Sequence, residues 1–112
     1  MYPDAVIVCG QPEMEDDRFD TLKNPSVIIE VLSPSTEDHD RGKKFFFYRQ
    51  IPSFKEFILI DSNDYFVETS IRQADGSWKF DVISGTDRGL KISTINAYIS
   101  MEEIYRNVVF QR

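Results

Sequence analysis

The segment VIIEVL at residues 27–32 limits the fold of this chain most strongly, because it is apolar except for one carboxylate, Glu30. A continuous apolar run after Pro25 is typical of a central strand that is buried on both faces. Glutamate is rarely buried unless it is paired or binds a metal. The alternative is an edge strand with Glu30 in water, but the apolar neighbours favour the central strand. Glu30 is therefore a candidate functional carboxylate.

The rest of the sequence predicts alternating strands and helices. An acidic, polar stretch at 10–25 predicts a loop, and Asp75-Gly76 predicts a hairpin turn. The predicted elements are strands at 5–9 and 26–32, a helix at 37–50, strands at 56–60, 65–72, 78–83 and 91–95, and a helix from a Ser100 cap to about Asn107. This order predicts one mixed α/β domain over residues 1–112.

Several apolar residues are expected in the core. Phe45 and Tyr48 fall at helical spacing, and Phe46 and Phe47 widen the same apolar stripe. Tyr48 is expected to be a core residue rather than a catalytic one. Strand alternation places Cys9 opposite the face of Asp4, so Cys9 is also expected in the core.

The charge and the cysteine content limit the classes of function. The formal net charge is −6, with 13 Lys and Arg against 19 Asp and Glu. An acidic chain is unfavourable for phosphate contacts, although a metal-dependent nuclease needs carboxylates. One cysteine excludes an internal disulfide, and no apolar run is long enough to span a membrane. We therefore expect a soluble, cytoplasmic protein.

Two further residues are candidates because of their relation to Glu30. Asp4 starts the first predicted strand, and two carboxylates on neighbouring strands can bind one Mg²⁺. Alone, Asp4 is equally typical of a solvated turn. Lys44 lies on the helix after the Glu30 strand, where an ion pair with Asp40 four residues earlier explains it as well. Lys43 is the alternative lysine for any functional role.

These segments together resemble a known family. They are YPDAV at residues 2–6, NPSVIIEVLSPST at 24–36, DRGKK at 40–44 followed by Tyr48, and Glu56-Phe57 with Asp61. This pattern resembles the Uma-type restriction endonucleases of the PD-(D/E)XK nuclease superfamily, over essentially the whole chain. The resemblance implies a restriction-endonuclease-like α/β fold, with a mixed β-sheet and flanking helices.

The resemblance also implies a site and an activity. Asp4 and Glu30 match the metal-binding carboxylates, and the backbone carbonyl of Val31 is a further ligand. The usual lysine two residues after the glutamate is Leu32 here, and Lys44 on the following helix matches its role. The implied reaction is hydrolysis of DNA phosphodiester bonds with Mg²⁺ or Mn²⁺.

Other polar residues are weaker candidates. Ser33 is a candidate phosphate contact, and the sequence leaves this role undecided. Arg41 is equally compatible with a DNA contact and with pairing to an acidic neighbour. His39 is expected on a solvated first helical turn. The remaining basic residues are expected to be solvated charges of the hairpins, with phosphate contact as the alternative: Arg72, Lys79, Arg88 and Lys91.

The chain departs from the family pattern at its start. Family members usually have a helix, a strand pair and an acidic residue before the PD motif, whereas this chain begins at that motif. An N-terminally truncated fold is therefore expected to expose apolar surface and to form a homodimer or higher oligomer. The alternative function is a catalytically inactive, oligomeric remnant with a structural or nucleic-acid-binding role.

Overall fold

The computed structural model describes residues 4–11, 24–32 and 37–106, with the backbone alone for residues 37–41. The helices and strands alternate in the first half and form hairpins in the second. They are β1 (Ala5–Ile7), β2 (Val27–Leu32), α1 (Glu37–Arg49), β3 (Glu56–Asp61), β4 (Phe66–Arg72), β5 (Trp78–Ser84), β6 (Gly89–Ile92), a 3-10 turn (Ser93–Ile95), β7 (Ala97–Ser100) and α2 (Met101–Ile104).

The main sheet has five strands in the order β1-β2-β3-β4-β5. Strands β2 and β3 are parallel and are joined by α1, while the other neighbouring pairs are antiparallel. Strands β6 and β7 form a separate antiparallel pair. The mixed α/β sheet with flanking helices is confirmed, and β2 lies inside the sheet as its apolar sequence predicts.

Each face of the sheet carries its own buried cluster. Helix α1 covers one face, and the β6–β7 pair with α2 covers the other. The first cluster is Ile28, Tyr48, Phe54, Phe57 and Leu59. The second is Val27, Ile58, Val67, Ile83, Leu90, Ile92, Met101 and Tyr105. Alternate residues of β2 thus enter opposite clusters, as the period of two requires.

The C-terminal segment is held to the sheet by polar contacts. The predicted Ser100 cap is confirmed, because its hydroxyl accepts a hydrogen bond from Glu103 N at 3.1 Å. The hydroxyl of Tyr105 lies within hydrogen-bond distance of the carbonyl oxygens of Asp61 (2.7 Å) and Phe66 (3.0 Å). The ring therefore ties α2 to the ends of β3 and β4.

Glu56 is fully buried and accepts hydrogen bonds from the backbone amides of Ser93 and Thr94. These amides begin the 3-10 turn, and Asn96 ends it in a left-handed conformation with φ 52°. The prediction of a strand at 91–95 is therefore wrong beyond Ile92. The chain reverses there and returns as β7, a strand that was not predicted from the sequence. Helix α2 ends at Ile104, three residues before the predicted end at Asn107, which lies outside the described residues.

The expectation that Cys9 is a core residue is wrong. Strand β1 ends at Ile7, so the alternation of faces does not continue to Cys9, which is exposed. Its backbone amide donates to Ser26 Oγ at 3.2 Å. Most of the predicted loop at 10–25 lies outside the described residues.

The predictions for Phe46 and Phe47 as members of the apolar stripe and for Arg72 as a solvated charge also differ from the structure. Phe46 and Phe47 are 55% and 57% exposed, so they lie outside the buried side of α1. Arg72 is not a solvated hairpin charge. Its guanidinium donates to the carbonyl of Arg49 at 2.9 Å and lies 4.9 Å from the centre of the Trp78 ring. It therefore caps the C-terminal end of α1.

Within the described ranges, no helix has the length and apolarity needed to cross a membrane.

Candidate functional site

Glu30 lies in β2, between β1 and β3, and its side chain belongs to the face that α1 covers. The residue is only 2% exposed. Both carboxylate oxygens have partners, since Lys44 Nζ contacts Oε2 at 2.6 Å and the Tyr48 hydroxyl contacts Oε1 at 3.3 Å. A buried carboxylate with two donors agrees with the rule that buried charges are paired.

Lys44 reaches Glu30 from α1, because the helix crosses the sheet directly after β2. Its side chain is 29% exposed, so the ion pair lies at the boundary between core and solvent. Lys43 is exposed, so position 44 is the one that contacts Glu30. Asp40 is the alternative partner of Lys44, and the structure does not describe its side chain.

Tyr48 lies one helical turn after Lys44 on the same side of α1. It is buried as expected, with rings of Phe54 and Phe57 at its edges. Burial raises the pKa of Tyr48 far above its ordinary value, and the charges of Glu30 and Asp4 raise it further. The hydroxyl therefore stays protonated and acts as a donor to Glu30. This contact was not predicted from the sequence, although the spacing of four residues between Lys44 and Tyr48 was a signal for it.

Asp4 lies directly before β1, at the edge of the sheet. Its Oδ2 accepts a hydrogen bond from the backbone amide of Val31 at 2.7 Å, so its carboxylate reaches across to β2. The pairing of Ala5 with Ile29 continues toward Glu30 and brings the two acidic residues to neighbouring strands. Asp4 and Val31 are exposed, so this end of the site opens to solvent.

Three sequence candidates have no described side chain. Ser33 lies outside the described residues, and the side chains of Arg41 and His39 are also outside the described ones. The described site thus consists of Asp4, Glu30, Val31, Lys44 and Tyr48.

The oxygen donors of this site fit a hard divalent cation. Asp4 and Glu30 supply carboxylate oxygens from neighbouring strands, and such oxygens are the ligands that Mg²⁺ favours. Among the described residues, no cluster of three or more His, Cys, Asp or Glu side chains converges anywhere. A cation at Asp4 and Glu30 would therefore keep several water ligands, as Mg²⁺ commonly does.

Two proteins of Synechocystis are among the relatives that this chain resembles in sequence. It is 36% identical over 92 residues to Uncharacterized protein sll1609 of Synechocystis sp. (strain PCC 6803), covering 82% of this chain and 52% of that protein. It is 32% identical over 108 residues to Uncharacterized protein slr1290 of the same organism, covering 96% of this chain and 55% of that one. The chain thus spans about half the length of these relatives.

The fold is shared with a crystal structure described as a "putative nuclease belonging to DUF820" from Anabaena variabilis ATCC 29413. The TM-score is 0.62 at 17% sequence identity, over 77% of this chain and 46% of the other. This likeness shows the fold alone. The family model Uma2, described as "Putative restriction endonuclease", matches residues 1–99. The match covers most of the chain, including Asp4, Glu30 and Lys44, and the chain therefore belongs to the Uma2 family.

Proposed function

We propose that the chain carries the site of a metal-dependent DNA endonuclease. The observation that supports this most is the pair formed by buried Glu30 and Lys44, with Asp4 on the neighbouring strand. A carboxylate is costly to bury, and one beside a lysine and a second acid is typical of hydrolytic sites. Membership of a family described as "Putative restriction endonuclease" supports DNA as the substrate class.

In this proposal Asp4, Glu30 and the carbonyl of Val31 hold Mg²⁺ or Mn²⁺. When bound, such an ion supplies Lewis-acid polarisation of the phosphate and a water of lowered pKa. The two acidic residues have different roles in this proposal because they differ in burial. Glu30 is fixed by Lys44 and Tyr48, whereas Asp4 lies at the exposed edge. Glu30 thus sets the geometry, and Asp4 completes the site at the side from which DNA approaches.

In this proposal Lys44 provides a positive charge from the protein at the site, in addition to that of the metal ion. Its ammonium group would move from Glu30 Oε2 toward a phosphate oxygen, which offsets charge developing during the reaction. It would also orient the attacking water through one of its three donor hydrogens. The side chain is 29% exposed, and this partial exposure permits the movement. Tyr48 keeps Oε1 in place while Oε2 changes partner.

The test is cleavage of plasmid and single-stranded DNA with Mg²⁺ or Mn²⁺. We expect cleavage by the wild-type chain, loss of cleavage with EDTA, and loss in the Glu30→Ala variant. Glu102→Ala is the matched control, because Glu102 is an exposed carboxylate on α2. Cleavage that persists in Glu30→Ala would reject this site.

A second candidate function is a catalytically inactive remnant with a structural or nucleic-acid-binding role. It is favoured by the direct contacts of both Glu30 oxygens, because Lys44 already neutralises the carboxylate. Calorimetric titration with Mn²⁺ separates the two candidates. If the wild-type chain binds Mn²⁺ and the Glu30→Ala variant does not, the nuclease is supported. If the wild-type chain shows neither Mn²⁺ binding nor DNA cleavage, the inactive remnant is supported.

We also propose that the chain forms a homodimer or higher oligomer. Phe46 and Phe47 together expose two aromatic rings on α1, and Phe80 is 67% exposed on β5. Phe46 and Phe47 are neighbours, with ring centroids 6.3 Å apart, and exposed apolar side chains grouped in this way favour association. Light scattering coupled to size-exclusion chromatography measures the mass directly, and a stable monomer at high concentration would refute the proposal. Phe46→Ser and Phe47→Ser variants then identify the contact surface.

A further inference from the structure

Strand β5 forms one end of the main sheet, and its outer side is an open edge. It is the last strand in the order β1-β2-β3-β4-β5, and no strand in the described part of the chain pairs with that side. Residues 79–82 are all exposed. Two of them are apolar, since Phe80 is 67% exposed and Val82 is 44% exposed. A strand edge with exposed apolar side chains is a template for pairing with another strand.

The hydrogen bonds between β4 and β5 show which backbone groups of β5 face outward. At the two ends of this pair, Gln73 N donates to Ser77 O, and Gly85 N donates to Tyr65 O. Bonded and non-bonded residue pairs alternate along an antiparallel ladder, so the odd-numbered residues of β5 bond to β4. The amide and carbonyl groups of the even-numbered residues therefore face the open edge: Trp78, Phe80, Val82 and Ser84.

We propose that β5 pairs antiparallel with β5 of a second copy of this chain, with Phe80 opposite Phe80 on a two-fold axis. The inference rests on the proposed homo-oligomer and names a contact surface for it. Most oligomers have closed symmetry, and a two-fold axis places the same surface on both sides of the interface. The two five-stranded sheets then form one continuous sheet.

The charges of β5 favour this register. In a two-fold pair centred on Phe80, Lys79 lies opposite Asp81 of the partner copy, and symmetry repeats the contact. Opposite charges directly across an antiparallel pair are stabilising, while like charges are destabilising. A pair centred one residue earlier places Lys79 against Lys79, and a pair centred one residue later places Asp81 against Asp81. The register centred on Phe80 is therefore the charge-complementary one.

The apolar side chains of β5 agree with the same register. Phe80 lies on the α1 face of the sheet, where its ring centre is 6.1 Å from that of Phe45. In the proposed pair it lies opposite Phe80 of the partner copy, and Trp78 lies opposite Val82 of the partner copy. Aromatic pairs and pairs of an aromatic with a β-branched residue stabilise neighbouring strands. Pairing thus covers the apolar side chains that β5 exposes.

Two local contacts occupy the edge at Val82, and both are exchangeable. Its amide donates to Asp81 Oδ1 at 2.8 Å, and its carbonyl accepts from Arg88 at 3.4 Å. The ion pair of Arg88 with Asp81 is 3.5 Å long, and both side chains are 58% exposed. Exposed ion pairs of this kind contribute little to stability. In the dimer, Asp81 contacts Lys79 of the partner copy, and Val82 bonds to the backbone of Trp78 of the partner copy.

The interface is small and lies away from the candidate functional site. It is built on one strand of seven residues, which places it at the low end of interface sizes. We therefore expect a reversible dimer that dissociates on dilution. Asp4 lies directly before β1, and β1 is at the opposite end of the sheet from β5. The pairing thus leaves the proposed catalytic site uncovered.

The experiment is sedimentation velocity over a series of protein concentrations, in EDTA and without DNA. We expect the wild-type chain to show a monomer–dimer equilibrium. Lys79→Glu and Asp81→Lys should each weaken dimerisation by about tenfold, because symmetry introduces each like-charge pair twice. An equimolar mixture of the two variants should associate as tightly as the wild type. In that mixed dimer, every charged residue of one β5 lies opposite a residue of the other sign.

Two further variants separate this surface from general effects of charge. Lys91→Glu makes the same change at an exposed lysine of β6 and should leave dimerisation unaltered. Lys79→Glu makes the chain more acidic and Asp81→Lys makes it less acidic, so an effect of net charge alone would have opposite signs in the two. Arg88→Ala should tighten association, because Arg88 then no longer competes for the carbonyl of Val82.

A wild-type chain that stays monomeric over the whole series would overturn the proposal. Charge variants that dimerise like the wild type, or that do not recover on mixing, would overturn it as well. Weaker association of Arg88→Ala would contradict pairing at Val82. A dimer lost in Phe46→Ser but kept in both charge variants would retain the proposed oligomer and reject this surface. Because the measurement contains neither DNA nor metal ion, failure of the nuclease assay does not alter its result.

Discussion

The ammonium nitrogen of Lys44 lies 2.6 Å from Glu30 Oε2, so a residue of α1 neutralises a carboxylate buried in the neighbouring strand β2. Glu30 has almost no access to water. The stability of the β2–α1 contact therefore depends on Lys44, whatever reaction the site performs.

Replacement of Lys44 should destabilise the fold. Lys44→Met keeps most of the side-chain volume but leaves Glu30 buried without its cation. We expect a loss of about 1.5–3 kcal/mol in the free energy of unfolding, the range for a lost hydrogen bond to a charged group. The partial exposure of Lys44 keeps the loss below that of a fully buried pair. Urea denaturation measures it, and exposed Lys43→Met should change stability by less than about 0.5 kcal/mol.

Removal of the Tyr48 hydroxyl tests the second contact of Glu30. Tyr48→Phe retains the ring contacts with Phe54 and Phe57 but loses the donor to Oε1. The bond is long at 3.3 Å, so we expect a loss of about 1 kcal/mol. Thermal unfolding measures the change, with Tyr98→Phe as the exposed control. An unchanged melting temperature would mean that the hydroxyl does not support Glu30.

The buried carboxylate of Glu56 in β3 should contribute strongly to the free energy of unfolding. Glu56→Ala leaves the amides of Ser93 and Thr94 without their acceptor and creates a cavity. We expect a loss on the order of 3 kcal/mol. Hydrogen exchange should show faster exchange at the Ser93 and Thr94 amides than in the wild type. Equal protection in both would contradict the assignment, and exposed Glu103→Ala serves as a control for the loss of one carboxylate.

Tyr105 should make stability fall at alkaline pH. Burial raises its pKa above the ordinary value near 10, and the charges of Asp61 and Asp64 raise it further. Folding therefore favours the protonated form. This contribution is fully present below the ordinary pKa and is lost as the pH rises through the raised pKa of the folded state.

The Tyr105→Phe variant isolates this pH effect. We expect it to be less stable than the wild type at pH 8, by about 1 kcal/mol for the lost contacts with the Asp61 and Phe66 carbonyls. The difference should shrink above about pH 10, because the wild type then loses the same contribution. Urea denaturation between pH 8 and pH 11 checks it. A difference independent of pH would contradict the prediction.

The sequence predicted the parts of the fold that depend on local patterns. The apolar run around Glu30 indicated a buried strand, and Asp75-Gly76 indicated the β4–β5 hairpin. Strand β7 was missed because its turn depends on Glu56, whose carboxylate binds the chain 37 residues later. Cys9 was misplaced because alternation was extended past the end of β1. The turn before β7 and the end of β1 depend on contacts between distant parts of the chain, and a local sequence pattern does not contain such contacts.

The same distinction applies to the site. The burial of Glu30 followed from its neighbours, but the choice of Lys44 over Lys43 came from the family resemblance. Helical spacing alone allowed an Asp40 partner equally well. The contact between Tyr48 and Glu30 requires α1 to pack on the face of the sheet that carries Glu30, and this packing involves the buried cluster of Ile28, Tyr48, Phe54, Phe57 and Leu59 rather than a short motif.

The parallel pairing of β2 and β3 across α1 has a consequence for the order of folding. Glu30 and Tyr48 are only 18 positions apart in the chain, and Lys44 lies between them. The entropy lost in closing so short a loop is small, and sequence-local contacts form early in folding. The inner half of the site should therefore assemble with its β-α-β unit, before the β6–β7 pair docks. Amide protection measured during refolding should appear in β2, α1 and β3 before it appears in the β6–β7 pair.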